Sequence, residues 1–153
     1  MPPRSDPSDL TAHLGYWLRL VSNNVSQAFA RKVEAQGVTV AEWVMLRKLL
    51  DIEPSPPSRL AELVGATRGT ITKLADRLIE KALLVRESDV SDGRAQFLRL
   101  TPAGRALVPK LAKLADRNDA EFFGHLLPKQ REAFLRTLQD IVERREWSGT
   151  PLQ

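Results

Sequence analysis

The sequence contains no cysteine, which excludes disulfide bonds, cysteine-ligated zinc and thiol-based redox sensing. No segment approaches the roughly 20 consecutive apolar residues that a membrane-spanning helix needs. The first eight residues have no apolar core and are not a signal peptide, so residues 1–8 are predicted to be a disordered lead-in. These absences are typical of a cytoplasmic protein with no membrane partner.

The chain also lacks the patterns that mark common enzymes: a Ser/His/Asp layout, a phosphate-binding loop and a dinucleotide fingerprint. There are two histidines, and one of them, His125, lies four residues after Glu121, a spacing that places both on one face of a helix. Two ligands do not make a metal site, so we interpret this pair as surface residues. The sequence predicts no catalytic residue, no metal and no cofactor.

The chain carries an excess of positively charged residues. Lysine and arginine outnumber aspartate and glutamate by 23 to 19, and the formal net charge is +4. A basic chain favours an anionic partner such as nucleic acid, although the position of the charges matters more than their sum. A length of 153 residues suits one domain, or one domain with an added assembly element.

Apolar residues recur at spacings of three and four from about residue 8 to residue 35, which predicts one long helix. It exceeds what a small domain needs, so part of it is expected to pack on a partner chain. A second helix is predicted after Thr39, with Glu42 completing a capping box. A fifth follows Thr101, and a sixth begins at Pro128. The apolar residues of the sixth helix, expected to face inward, are Phe134, Leu135, Leu138, Ile141 and Val142.

Between these helices lies the pattern of a helix-turn-helix. Ser55 and Pro56 suit the cap and first position of a short third helix, Gly65 marks a tight turn, and Thr67 caps a fourth helix that runs to about residue 81. On helical geometry, Lys73 and Arg77 project away from the apolar face of this fourth helix.

A hairpin with a basic tip follows the fourth helix. Residues 83–87 and 96–100 read as two strands, and the loop between them contains Asp92-Gly93 as a turn signal, followed by Arg94. A helix followed by a basic hairpin is the layout of a winged helix-turn-helix. The predicted fold class is therefore mainly α, with a two-stranded β wing between long N- and C-terminal helices; the resemblance described next implies that these are dimerisation helices.

In its order of elements, the chain resembles the MarR family of bacterial transcriptional regulators. The matching segments are residues 55–63 (SPPSRLAEL), 67–78 (TRGTITKLADRL), 83–86 (LLVR), 92–94 (DGR) and 98–104 (LRLTPAG). The resemblance implies a homodimer whose N- and C-terminal helices intertwine, and a palindromic operator in double-stranded DNA. It also implies control by a small aromatic or anionic effector.

Within this frame we assign roles to the exposed polar residues. Lys73 is expected to reach a base edge, and residues near the start of the fourth helix to hold phosphates. Arg94 is expected to enter the minor groove. Asp76, being acidic, is predicted to form an ion pair with Arg86 or Arg77. The candidate DNA-binding residues are Ser55, Thr67, Arg68, Thr70, Thr72, Lys73, Arg77, Asp92 and Arg94.

An effector pocket is a further hypothesis. Several aromatic and polar residues of the first two helices could line it, with Arg19 or His13 meeting an anionic group. The alternative is that the aromatic residues belong to the core and the polar ones to the surface. The candidates are His13, Tyr16, Trp17, Arg19, Trp43 and Met45.

The sequence thus predicts a ligand-responsive dimeric repressor, with the helix at 67–81 in the major groove and the wing at 88–96 in the minor groove. The alternative is a winged-helix protein-interaction module without sequence-specific DNA binding. The predicted organisation assigns residues 9–36 and 102–147 to dimerisation helices, 39–101 to the winged helix-turn-helix and 148–153 to a frayed tail.

Overall fold

The structure, a computed structural model, describes residues 1, 6–89, 91 and 93–153; residues 2–5 of the predicted lead-in lie outside this set. Helices and the two-stranded sheet follow the predicted order, which confirms the mainly helical winged class. The elements are α1 (Leu14–Glu34), α2 (Val40–Ile52), α3 (Pro57–Val64), α4 (Arg68–Glu80), β1 (Leu84–Ser88), β2 (Gln96–Leu100), α5 (Pro102–Phe123) and α6 (Pro128–Arg144).

Threonine caps fix where three of the helices begin. The hydroxyl oxygens of Thr39, Thr67 and Thr101 accept hydrogen bonds from the backbone N–H three residues further on, at 3.0–3.1 Å, as the sequence predicts. The first helix starts later than predicted, at Leu14, because His13 has an extended backbone that interrupts the apolar pattern after a short 3-10 turn.

Glu42 does not complete the predicted capping box. Its carboxylate is buried and accepts two hydrogen bonds from Lys81 Nζ, at 2.7 and 2.9 Å. Because burying an unpaired carboxylate is costly, this pairing ties the start of α2 to the residue that caps the C-terminal end of α4.

A single apolar core lies where α2, α3, α4, the sheet and the first half of α5 meet, and leucine dominates it. Leu46, Leu49 and Leu60 are fully buried within it, as is Leu78 from α4. Because these residues come from every element of the helix-turn-helix, the core sets the position of α4 within the domain.

The sheet is an antiparallel pair in which Leu84 lies opposite Leu100 and Ser88 lies opposite Gln96. Ser55 extends it by one bridge: its N–H donates to the Leu98 carbonyl at 3.1 Å, and its carbonyl accepts from the Leu98 N–H at 2.8 Å. This pairing buries Ser55 completely. The prediction of Ser55 as a DNA contact is therefore wrong, and Pro56 rather than Ser55 caps α3.

Two helices are poorly covered by the rest of the chain. Of the residues in α1, only Ala28 and Val33 are buried, and none is buried in α6. The apolar residues of α6 do not face this chain's own core, contrary to the inward orientation that the sequence predicts. In the part of the chain that the structure describes, no helix has the length and hydropathy needed to cross a membrane.

The C-terminal tail, predicted to fray, lies against the helix-turn-helix. The backbone N–H of Thr150 donates a hydrogen bond of 3.0 Å to the carbonyl of Val64, the last residue of α3.

Candidate nucleic-acid interface

The centre of the candidate interface is the outward face of α4. Ile71, Leu74, Ala75 and Leu78 are buried on its inner face, which forces the residues between them towards solvent. Lys73 and Arg77 are exposed on the outer face, as predicted. Because the helix is anchored along its whole length, these side chains start from a rigid base.

The cations of α4 are available to a ligand. Among the residues that the structure describes, none forms a hydrogen bond or ion pair with the side chains of Arg68, Lys73 or Arg77. A cation without an intramolecular partner loses only its hydration when it meets a phosphate or a base edge. The outward face of α4 is therefore suited to an anionic partner.

The threonines at the start of α4 have local partners. Thr67 accepts from the Thr70 N–H, and the two hydroxyl oxygens lie 3.0 Å apart. The Thr72 hydroxyl donates to the Arg68 carbonyl at 2.9 Å, so it must rotate before it can donate to a phosphate. All three threonines are exposed.

An ion pair fastens the hairpin to α4. Arg86 Nη2 of β1 lies 2.8 Å from Asp76 Oδ1, which confirms one of the two predicted partners of Asp76. Both side chains are partly exposed, so the pair contributes little to stability. It joins the first wing strand to the outward face of α4.

The loop that joins the wing strands is closed at its base. The Asp89 N–H donates to the Ala95 carbonyl at 2.8 Å, and Asp89 Oδ1 accepts from the N–H and hydroxyl of Ser91, both at 2.9 Å. Arg94 is exposed in this loop. Asp92, a candidate DNA-binding residue, lies outside the described residues.

Sequence reasoning missed Glu53, which holds the other end of the hairpin. Its carboxylate accepts from the Leu100 N–H at 2.7 Å and from Arg105 Nε at 2.7 Å. It therefore joins the end of α2 to β2 and to the start of α5. A lone carboxylate at the end of a helix carries no sequence signal for such a role.

Three of the six candidate effector residues meet in one place. His13, Tyr16 and Arg19 line an open cleft of about 470 Å³ along α1, together with Leu20 and Asn23. Tyr16 as a whole residue is 40% exposed to solvent.

The other three candidates lie elsewhere. Met45 is buried in the core and does not line the cleft. Trp43 packs against the same core. Trp17 does not line the cleft, and its indole N–H donates to the Thr11 carbonyl at 2.9 Å. For Trp43, the alternative of a core residue that the sequence left open describes the structure better. Trp17 is 50% exposed and is not part of the core.

The carboxylate of Glu121, the first residue of the predicted surface pair, has a cationic partner. This carboxylate lies 2.7 Å from Lys32 Nζ, which also donates to Asn118 Oδ1 at 2.9 Å. Within the described ranges no group of three or more metal-ligating side chains comes together. The contact joins α1 to α5.

Comparison with known proteins bears on this site. The sequence pattern of the MarR family matches residues 38–95, which span the helix-turn-helix and most of the wing. The transcriptional regulatory protein for the hcr operon of Thauera aromatica is 28% identical over 156 residues, covering 98% of this chain and 93% of that protein. The transcriptional repressor NicR of Pseudomonas putida is 26% identical over 148 residues, which cover 97% of this chain and 94% of NicR.

A solved structure has a similar fold. Bordetella bronchiseptica BpsR, whose DNA binding is regulated by 6-hydroxynicotinic acid, superposes with a TM-score of 0.74 at 26% identity, covering 88% of this chain and 96% of that one. These relatives are regulators of transcription and not enzymes.

Proposed function

We propose that this chain, which belongs to the MarR family of transcriptional regulators, is a dimeric repressor that binds a palindromic operator and is released by a small aromatic anion. Helix α4 would enter the major groove and the wing the adjacent minor groove. Such a protein works in the cytoplasm, beside the chromosome.

One observation carries the DNA-binding part of the proposal. The Asp76–Arg86 ion pair, at 2.8 Å, joins the first strand of the wing that bears Arg94 to the same helix that presents Lys73 and Arg77. A rigid helix with unpaired cations beside a fixed basic hairpin matches the shape and charge of two neighbouring grooves. A protein-interaction module has no need for that arrangement of charge.

The dimer is supported by the apolar surface of α1 and α6. Leu18 and Val21 of α1 and Phe134 and Ile141 of α6 are each more than 40% exposed, which is unfavourable for a surface in water. A second copy would cover these residues. Two copies of α4 would then lie about 34–36 Å apart, one turn of the duplex.

Regulation is supported by the cleft of His13, Tyr16 and Arg19. Its cation, its phenol and its imidazole suit an aromatic carboxylate, and the BpsR relative responds to a compound of that class. The NicR relative supports repression as the outcome. A ligand can release DNA only if it binds the DNA-free shape of the dimer more tightly.

The proposal is tested by selection from a pool of random duplexes. The full-length protein should enrich an inverted repeat, and its affinity for that sequence should fall steeply with salt. Enrichment of no duplex, or binding that random competitor removes equally well, would contradict the proposal.

Arg94→Ala should weaken binding to the enriched duplex by about 1–3 kcal/mol, because a minor-groove cation is lost from the wing. Fluorescence anisotropy measures the change. Arg117→Ala removes an exposed arginine from α5, and it serves as the matched control that should bind as the wild type does. Equal affinities for the two variants would exclude the wing tip from the interface.

Arg19→Ala should weaken salicylate binding by at least about tenfold, the effect of losing one charge-assisted hydrogen bond. Isothermal titration calorimetry measures the affinity, with salicylate as the probe. Arg31→Ala, an exposed arginine near the other end of α1, is the control. If both variants bind salicylate alike, the cleft is not the anion site.

A further inference from the structure

The C-terminal tail connects α6 to the turn of the helix-turn-helix. Immediately after α6 the chain reverses, and the N–H of Trp147 donates to the Val142 carbonyl at 3.2 Å. The tail then runs to the end of α3, where the Thr150 N–H donates to the Val64 carbonyl at 3.0 Å. This carbonyl belongs to the last turn of α3 and has no partner within its own helix at that position.

The approach of the two backbones depends on a pair of glycines. Gly65 and Gly149 face each other, and a Cβ atom added to Gly65 would lie 3.0 Å from the Gly149 Cα. A Cβ added to Gly149 would lie 3.3 Å from the Val64 oxygen, and Gly149 has a φ of +98° that other residues rarely adopt. The contact therefore depends on glycine at both of its ends.

The position of the contact relates it to DNA recognition. Val64 is three residues before Thr67, the N-cap of α4. A hydrogen bond at Val64 therefore restrains the turn from which α4 starts. Its other end is six residues after α6, a helix that the proposed function assigns to the dimer frame.

We infer that residues 147–150 form a strap that positions α4 relative to α6 and so fixes the distance between the two half-sites that the dimer recognises. The inference rests on the proposed function, since only a dimer on a palindrome has such a spacing. The strap acts through α4 and touches no DNA, so Gly149 and Thr150 are positioning residues.

Gly149→Val tests the strap, because the valine side chain would push the tail away from Val64. The wild type should bind the enriched inverted repeat better than duplexes with one base pair added or removed between the half-sites. The variant should remain dimeric by light scattering but lose about fivefold of that preference, the factor that one backbone hydrogen bond represents. A substitution that only lowered overall stability would leave the preference for spacing unchanged.

Gly37→Val is the matched control. Gly37 also has a positive φ, of +86°, but a Cβ atom there would meet nothing within 4 Å, so this variant reports backbone strain alone. A chain ending at Trp147 provides a second test if Gly149→Val does not fold. Unchanged or sharper spacing preference in the tail variants would overturn the inference.

Deuterium exchange separates the strap from the proposed function. In the free protein, residues 65–70 should exchange faster in the tail variants than in the wild type and in Gly37→Val. If the wild type enriches no duplex, the proposed function fails, and this measurement still decides the strap. Equal exchange in all variants would show that the tail does not restrain the turn.

Discussion

Replacing Lys73 by alanine should reduce the affinity for the enriched operator by about 2–6 kcal/mol, because the dimer loses two base contacts worth about 1–3 kcal/mol each. This corresponds to a factor of about 30 to more than 10⁴. Lys73 is exposed on the outward face of α4, whose inner face is buried in the core. Anisotropy titrations at constant salt measure the loss.

Two further variants distinguish the loss of a base contact from a general loss of positive charge. Lys129→Ala removes the same charge from the exposed start of α6 and should leave the affinity unchanged. Arg68→Ala removes a cation expected on phosphate, so it should weaken every duplex alike and lower the salt dependence. If Lys73→Ala behaves like Arg68→Ala, then Lys73 holds phosphate and the base is read by another residue.

The sequence predicts the helix-turn-helix and the wing well because their signals are local. A threonine cap, an apolar period and a glycine turn each act within a few residues, and the hydrogen bonds of Thr67 and Thr101 follow the expected spacing. The Asp76–Arg86 pair was also predictable, because an acidic residue on a basic surface needs a partner in the next element.

The contacts that could not be predicted join distant parts of the chain. Ser55 reads as an exposed cap, but a backbone bridge to Leu98, 43 positions later in the sequence, buries it. Met45 was a candidate for the effector pocket, yet helix packing buries it in the core. The tail contact is a hydrogen bond between two backbone groups, and no side-chain pattern encodes it.

The effector cleft could be predicted from the sequence only in part. His13, Tyr16 and Arg19 share a cleft because they lie within two turns at the start of one helix. Trp43 belongs to α2 and lies partly buried against the core. From the sequence, it could equally have been a residue of the effector pocket or of the core.

The exposed apolar face of α6 leads to the second large prediction. Ile141 is 44% exposed in the single chain, and Phe134 and Leu138 lie on the same side of the helix. Ile141→Asp would place a carboxylate from each subunit in the proposed apolar interface, where a charge without a partner is costly. We expect the variant to be a monomer by light scattering and to fold as the wild type does.

Operator binding should fall with the dimer. A single subunit offers one α4 and one wing, so it loses the gain from two linked contacts, which is typically a factor of about 10² or more. Gln139→Asp adds the same charge to an exposed position on another side of α6, and it should remain dimeric with full affinity. A monomeric Ile141→Asp that still bound the inverted repeat like the wild type would mean that each subunit reads its site alone. The apolar faces of α1 and α6 would then need a different explanation from the assembly of two DNA-binding units.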